Sequence, residues 1–203
     1  MGDFINRFSE HVQKELNLND DRRDVLVFGL TTLISTIGSY AAIIAVGLLA
    51  GAVKLALIAA VTSTLFRVVS GGAHSRCMRN CIILGAIVSP GIAVISKWAG
   101  PGMPVSTLYL LVAVTWLFSL AAILRYAPAD TPNRPIVKPE ERRKFRGMSL
   151  TVLAVWGITA INAVMFKLTT GEMILASALG LLWQTHSITP HGYRLVEKFD
   201  QLI

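Results

Sequence analysis

The residue types best suited to chemistry lie together in a polar island, residues 67–81, between two apolar runs. The island contains both cysteines of the chain, a histidine and two adjacent glycines. His74 precedes Cys77 by three residues and Cys81 by seven. A cysteine acts as a nucleophile in its thiolate form, and a nearby imidazole can take the thiol proton to form a thiolate–imidazolium pair. The island therefore indicates covalent thiol chemistry.

The spacing leaves two candidate nucleophiles for His74. On one regular helix Cys77 would be its near neighbour, whereas Cys81 would lie on the same face but about 10 Å along the axis. This geometry favours Cys77 only if the island is helical, and Gly71 and Gly72 disfavour a helix. Alternatively, the histidine and the two cysteines could hold a metal ion, although no fourth ligand is evident. We predict no metal and no other cofactor.

The composition is typical of a polytopic membrane protein. Of the 203 residues, 53% are hydrophobic and 15% are charged, and the mean hydropathy is +0.58. A soluble domain carries about a quarter charged residues. The net charge of +7 accompanies no nucleic-acid-binding motif, and in a membrane protein it is typical of cationic segments kept on the cytoplasmic side. We therefore predict an all-α integral membrane protein whose environment is the lipid bilayer, with no nucleic-acid partner.

Hydropathy predicts about six helical segments within a single membrane-embedded domain, residues 1–203. The two segments beside the island are about a dozen and fifteen residues long, so we expect them to be short or re-entrant. Pro90-Gly91 should kink or interrupt the second of these. The six predicted segments are residues 25–49, 55–66, 82–96, 105–124, 148–166 and 172–185.

Polar stretches surround these segments. Residues 1–24 are polar, which argues against a secretory signal peptide, and residues 3–17 have the spacing of an amphipathic helix that lies on the membrane or packs against the protein. Residues 125–147 form a basic loop. Residues 186–203 form a tail in which an amphipathic helix is predicted from Pro190 onward.

The distribution of positive charge predicts the orientation in the membrane. With six crossings and a cytoplasmic N-terminus, sixteen of the nineteen lysines and arginines fall on the cytoplasmic side and three on the outer side. The opposite orientation would reverse that ratio. We therefore expect both termini, the island and the basic loop to face the cytoplasm.

The island and the basic loop together resemble the accessory gene regulator B (AgrB) family of membrane cysteine endopeptidases. The family pattern has an arginine, a glycine, a histidine and then a cysteine seven residues after the histidine. Arg67, Gly72, His74 and Cys81 stand at these positions. The stretch YAPADTPNRPI at residues 126–136 is similar to a second family segment, with an arginine where a lysine is common. Size, apolar segments and cationic loop agree too, so the resemblance covers nearly the whole chain.

The resemblance implies that Cys81 is the nucleophile and His74 the base, which makes Cys77 a bystander. It implies an AgrD-like quorum-sensing propeptide as substrate. Cleavage between the core and the acidic tail of that peptide would leave an acyl-enzyme thioester, which a Cys or Ser of the peptide attacks to close a thiolactone or lactone. A homodimer is also expected from the resemblance, whereas no third catalytic residue follows from it.

Other residues are expected to shape the site or hold the substrate. Arg67 is a candidate charge stabiliser, and Gly71 and Gly72 are candidates for backbone freedom or for amide donors to an oxyanion. A basic cluster is expected to bind the acidic tail of the substrate, or else to control topology and attract anionic lipid. Its members are Arg142, Arg143, Lys144 and Arg146.

A different class of function also fits the sequence. The chain could be a non-enzymatic small membrane transporter or a peptide-export protein, since interrupted helices in a polytopic body are typical of transporters. A thiol-reactive probe separates the two classes. The endopeptidase should carry one hyper-reactive cysteine near neutral pH, and the transporter none.

Overall fold

The structure of the chain, a computed structural model, has helices and no strand among the residues that it describes. The described residues are 8, 10–13, 15, 19–73, 75, 77–129 and 138–203. Most of the predicted N-terminal helix lies outside them. The helices with complete bounds are α1 (Asp20–Leu49), α2 (Val53–Ser70), α3 (Met78–Ala99), α4 (Val105–Tyr126), α5 (Pro139–Met165), α6 (Gly171–Ser187) and α7 (Pro190–Leu202).

Five of these helices, α1 to α5, are long and apolar enough to cross a membrane. Their candidate spans contain 18 to 27 residues, which corresponds to about 27 to 41 Å and suffices for a hydrocarbon core of about 30 Å. The sixth apolar segment, α6, has 17 residues and a length of about 26 Å. The predicted all-α polytopic membrane fold is therefore confirmed.

The two helices beside the island are longer than their apolar runs. α2 has 18 residues and α3 has 22, because helical hydrogen bonding continues through polar residues such as Lys54 and Arg79. Both are long enough to cross, so neither is the short segment expected from hydropathy. α3 also continues through Pro90. A proline removes one helical hydrogen bond, and both Ser89 and Pro90 are buried in this helix.

The helix α5 begins at Pro139, well before Met148, the predicted start of the fifth segment. Proline suits the first turn of a helix, and Glu140 and Glu141 complement its positive N-terminal end. The second half of the expected basic loop is therefore helical, and the basic cluster lies on the first turns of α5. Residues 130–137 of the same loop lie outside the described residues.

Close contacts between small residues hold α6 at the centre of the bundle, where it packs against α2, α3 and α4. A Cβ atom added at Gly180 of α6 would lie 2.6 Å from the carbonyl oxygen of Ala59 in α2. Ser63 Oγ donates a hydrogen bond to the Gly180 carbonyl at 2.7 Å. Lipid offers no hydrophobic drive for helix association, so close packing and interhelical hydrogen bonds take its place.

The connections between helices fall at two opposite ends of the bundle. One end contains the island, the loop after α4 and the corner between α6 and α7, and we call it the site end. At the other end Lys97 Nζ donates to the Gly51 carbonyl at 3.1 Å, and Gly100 packs against Glu172 at the start of α6. The segments that carry most of the positive charge thus meet at the site end.

Replacing Gly180 with alanine should destabilise the bundle, because the new methyl group would meet the α2 backbone, which cannot move aside cheaply. We expect the free energy of unfolding to fall by about 1 to 3 kcal/mol, as for other overpacked contacts. The measurement is SDS titration of the purified protein in mixed micelles. The matched control is Gly91→Ala in α3, where an added Cβ would meet no described atom within 4 Å. Equal stability of the two variants would contradict the tight α2–α6 contact.

Candidate active site

The described residues of the island between α2 and α3 are not helical. α2 ends at Ser70, since Gly71 adopts a left-handed φ of 71°, and α3 begins only at Met78, with Cys77 as its N-cap. The regular-helix geometry that favoured Cys77 over Cys81 therefore does not apply. The path of the chain through the island depends on contacts with other parts of the protein.

The loop after α4 provides the first of these contacts. Gly72 N donates to the Ala129 carbonyl at 3.3 Å, and Ala129 N donates to the Ser70 carbonyl at 2.9 Å. These bonds form a short parallel bridge between Gly71 and Ala129. Two segments nearly sixty residues apart in the chain are thus joined by their backbones at the site end.

The C-terminal end of α6 supports the island from the other side. Ala73 N donates to the Ser187 carbonyl at 3.1 Å. The buried side chain of Gln184 donates through Nε2 to the Gly71 carbonyl at 2.7 Å and to Ser70 Oγ at 3.2 Å. Its Oε1 is buried with no hydrogen-bond partner among the described residues. An amide that is buried in this way remains able to accept one further hydrogen bond.

The sequence reasoning missed Gln184. A signal was present, because glutamine is unusual in an apolar segment and a polar residue at membrane depth often serves a site. That signal does not say which polar group the side chain meets. Only the fold shows that Gln184 binds the backbone of the island.

The two glycines of the island occupy positions that other residues would strain. A Cβ at Gly71 would lie 2.1 Å from the Ala129 carbonyl oxygen, and one at Gly72 would lie 2.6 Å from Ser187 Oγ. Their φ angles are 71° and 135°, both in the region that favours glycine. Gly71 N donates to the Arg67 carbonyl, and Gly72 N is used in the bridge. Both amides thus bind carbonyl groups within the fold, and the roles predicted for the two glycines at the site stay predictions.

Arg67 connects the island with α3 and α7. Its Nη2 donates to the Ala73 carbonyl, and its guanidinium interacts electrostatically with the Cys81 and Tyr193 side chains. Arg67 thus binds the backbone of the island, and its role as a charge stabiliser stays a prediction. Its positive charge lies close enough to Cys81 to interact with negative charge on that thiol.

Both cysteines carry free thiols at the start of α3. Cys77 is exposed, whereas Cys81 is partly buried in the first turn. Cys81 N donates to the Cys77 carbonyl at 3.2 Å, so the side chain of Cys81 lies at the positive end of the α3 dipole. His74, the predicted base, lies outside the described residues.

The predicted amphipathic helix in the tail is confirmed as α7, which closes the site end. Gly192 packs so tightly against the end of α6 that an added Cβ would lie 2.3 Å from the His186 carbonyl oxygen. Gly192 and Val196 are buried, while Leu195 and Leu202 are exposed. The apolar face that the sequence indicated is therefore largely turned away from the rest of the protein.

Hydrogen bonds from Ser75 of the island and from two side chains of α3 complete the contact with α7. Asp200 Oδ1 accepts a hydrogen bond from Ser75 Oγ and another from Asn80 Nδ2, the latter at 3.1 Å. Arg79 Nη2 donates to the Ile203 carbonyl at 2.8 Å. Sequence reasoning missed this network, because its donors and its acceptor are more than a hundred residues apart.

Two members of the basic cluster bind the loop after α4. Arg146 Nε donates to the Ala127 carbonyl at 2.9 Å, and Arg142 Nη2 donates to the Pro128 carbonyl at 3.4 Å. These bonds satisfy carbonyl groups in the loop that pairs with Gly71. Arg142 and Arg146 thus help to shape the site end, in addition to any contact with a substrate.

A cleft of about 230 Å³ opens beside this loop at the site end. Ala129 and Arg142 line one side, and Ile188 and Tyr193 line the other. The walls combine apolar surface with a cation and a phenol, a mixture that suits a peptide side chain or a short peptide segment.

The described residues offer no evident metal site. Nδ1 of His191 lies 3.2 Å from Nε2 of His186 at the corner between α6 and α7. In the described part of the chain, however, no three His, Cys, Asp or Glu side chains are grouped closely enough to hold a metal ion.

Comparison with known proteins gives a consistent result. The chain matches the family model of Accessory gene regulator B (AgrB) over residues 5–188. A protein described as AgrB-like from Clostridium perfringens strain SM101 is 29% identical over 198 residues, which cover 95% of this chain and 92% of that relative. A second AgrB-like protein, from Clostridium perfringens strain 13, is 27% identical over 198 residues, which again cover 95% of this chain and 92% of that relative. An AgrB-like protein from Halalkalibacterium halodurans is 25% identical over 197 residues, which cover 95% of this chain and 89% of that relative. No solved structure matches the chain significantly.

Replacing Gly71 with alanine should open the bridge to Ala129, since the methyl group would collide with the Ala129 carbonyl. We expect hydrogen exchange of the Ala129 amide to accelerate by about tenfold or more, which corresponds to a fall of about 1.4 kcal/mol or more in the free energy of local opening. The measurement is hydrogen–deuterium exchange in lipid nanodiscs. Gly102→Ala is the matched control: its φ of 72° also lies in the region that favours glycine, but an added Cβ would meet no described atom within 4 Å. Equal exchange at Ala129 in both variants would refute the steric role of Gly71.

Proposed function

This chain belongs to the accessory gene regulator B (AgrB) family, and on that premise we propose that it is a membrane-embedded cysteine endopeptidase that processes an AgrD-like propeptide. Membership of this family supports a role for the protein in the agr quorum-sensing system. The observation that carries the finer proposal is the position of Cys81. Its thiol is partly buried in the first turn of α3, beside the charge of Arg67, at the end of the bundle where a cleft opens.

Peptide cleavage would begin with proton transfer from the Cys81 thiol to the imidazole of His74. The thiolate attacks the carbonyl carbon between the core and the tail of the propeptide. The tetrahedral intermediate collapses as the C–N bond breaks, and the imidazolium of His74 donates its proton to the departing amine. The core then remains bound to Cys81 as a thioester, and the tail leaves with a free N-terminus.

Ring closure would follow without any further cofactor. His74 removes the proton from a Cys or Ser side chain of the bound core, and that side chain attacks the thioester carbonyl. The bond to Cys81 breaks, and the returning proton regenerates the thiol. Overall one peptide bond is cleaved and one thioester or ester is formed within the product.

Water must be kept from the thioester during this exchange. Ala73 and Gly72 are buried, and α7 packs over the end of α6 beside them. A site that is shielded in this way slows hydrolysis and leaves the internal nucleophile of the peptide as the nearest competitor. The shielding supports cyclisation in preference to simple hydrolysis.

The membrane would bring the substrate to the site end. Positive charge collects at that end, so we propose that it faces the cytoplasm, together with both termini. An amphipathic leader bound to the same membrane surface raises the local concentration of the propeptide. The homodimer that the family resemblance implies stays a prediction.

Exchange of Cys81 for alanine should abolish propeptide cleavage, because no thioester can form. We expect a loss of at least about a thousandfold in rate, as for other covalent nucleophiles, and a similar loss for His74→Ala. The assay follows release of the acidic tail by mass spectrometry, with purified protein in nanodiscs and a synthetic AgrD-like propeptide.

The matched control for this experiment is Cys77→Ala, four residues away on the same helix end, which should retain cleavage. Cleavage that survives Cys81→Ala but is lost in Cys77→Ala would overturn the choice of nucleophile. Iodoacetamide separates the enzyme from a transporter, since an enzyme should show selective alkylation of Cys81 near neutral pH.

Charge reversal at Arg143 should weaken binding of the acidic tail. Arg143 is exposed on the first turns of α5, whereas replacement of Arg142 or Arg146 would also disturb the loop after α4. We expect Arg143→Glu to raise KM about two- to tenfold with little change in kcat, as for one exposed ion pair. The effect should disappear with a propeptide whose tail acids are amidated.

The control is Lys167→Glu, which makes the same charge change at the opposite end of the bundle. An equal rise in KM in both variants, or a rise that persists with the amidated tail, would show that Arg143 does not bind the tail. Kinetics at low and at high salt provide a second readout, since screening should reduce the difference between Arg143→Glu and the unmodified protein.

A further inference from the structure

One carboxylate oxygen on α7 binds the chain neighbours of both proposed catalytic residues. Asp200 Oδ1 accepts hydrogen bonds from Ser75 Oγ and from Asn80 Nδ2. In the sequence Ser75 follows His74 directly, and Asn80 directly precedes Cys81. A single atom, more than a hundred residues away along the chain, thus joins the two ends of the segment that separates the imidazole from the thiol.

We propose that Asp200 is a positioning residue, which sets the separation of His74 and Cys81 by holding Ser75 and Asn80 together. The inference rests on the proposed function of this site. The described part of the segment between α2 and α3 is not helical, so helical hydrogen bonds do not define its path. Contacts from outside the segment must do so, and Asp200 provides one of them at Ser75 while it also binds Asn80 on the first turn of α3.

The chemistry of the contact suits a rigid clamp. A carboxylate oxygen can accept two hydrogen bonds, and bonds to an ionised acceptor are roughly twice as strong as neutral ones. Asn80 is 3% exposed, and Ser75 and Asp200 are partly buried. Limited access to water strengthens these bonds further.

The orientation of the Asn80 amide is also determined by its neighbours. Arg79 Nε donates to Asn80 Oδ1 at 3.4 Å, so Nδ2 is the group that faces Asp200. An amide that was turned over would present its oxygen to the carboxylate and lose both bonds. Asn80 is therefore held as a donor toward α7.

The carboxylate itself is anchored by the packing of α7. Gly192 fixes the start of that helix against the end of α6, and buried Val196 continues the contact. At the other end, Arg79 donates to the Ile203 carbonyl at 2.8 Å. Asp200 lies between these two attachments, so its position is supported by rigid neighbours.

The decisive comparison is between Asp200→Ala and Asp200→Asn in the full-length protein in nanodiscs. Alanine removes the acceptor, whereas asparagine retains an oxygen at the same place and loses only the charge. We expect Asp200→Ala to lower kcat for propeptide cleavage about a hundredfold with KM nearly unchanged, as for a misplaced catalytic pair. Asp200→Asn should recover most of that loss.

Gln201→Ala provides the matched control, since Gln201 is an exposed polar residue next to Asp200 on the same helix. It should leave kcat unchanged. Unaltered kcat in Asp200→Ala would overturn the proposal. So would an equal loss in Asp200→Asn, because the charge of Asp200, and not its position as an acceptor, would then be responsible.

A double-mutant cycle covers the case in which Asp200→Ala loosens α7 as a whole. If the clamp acts through Asn80, then Asn80→Ala should lower kcat by itself, and adding Asp200→Ala should lower it little further. Fully additive effects would refute the clamp, because they would mean that the two residues act independently.

A readout without propeptide separates this inference from the proposed function. In a Cys77→Ala background, the rate at which iodoacetamide alkylates Cys81 near neutral pH reports how well His74 assists thiolate formation. Asp200→Ala should slow alkylation, and His74→Ala should slow it no further in that variant. If alkylation behaves in this way while the unmodified protein cleaves no propeptide, the clamp stands and the endopeptidase fails. Unchanged alkylation in Asp200→Ala refutes the clamp even if cleavage occurs.

Discussion

The site depends on one constraint: a chain that leaves helical geometry at the end of a membrane bundle must find other partners for its backbone. Unpaired amides and carbonyls are costly wherever they are buried away from water. The island meets this demand through Ala129 on one side and Ser187 on the other. Gln184 and Arg67 bind two of its carbonyls, those of Gly71 and Ala73. The irregular segment is thus held by groups from three elements, namely α2, α6 and the loop after α4.

The same need for backbone partners explains why the arginines at the site end have more than one role. Arg146 and Arg142 lie in a cluster that charge alone would assign to topology or to an acidic ligand. Their guanidinium groups also satisfy carbonyls in the loop after α4, and that loop in turn pairs with Gly71. A substrate that binds the basic cluster would therefore contact arginines that are connected to the island through hydrogen bonds with the loop after α4.

Local sequence pattern predicted the helices well where a long apolar run ended in turn residues, as from Val105 after Pro104. It failed at the ends of α2, α3 and α5, because hydropathy marks where side chains are apolar, whereas a helix continues for as long as its backbone bonds do. Pro90 does not interrupt α3, which continues on both sides of it for 22 residues in all. The choice of Cys81 over Cys77 came from family resemblance, and the non-helical island removes the geometric argument against it.

The sequence by itself determined the membrane setting, the number of apolar segments, the island with its thiols, and the family. These properties depend on composition and on short-range spacing, which are complete in the chain before it folds. Only the tertiary structure decided that Gln184 faces Gly71, that Arg67 lies beside Cys81, and that Asp200 joins Ser75 to Asn80. These contacts link residues that are from 14 to 125 positions apart. The local spacing of residue types does not predict these contacts, because the contacts depend on how the helices pack and on which helix ends meet.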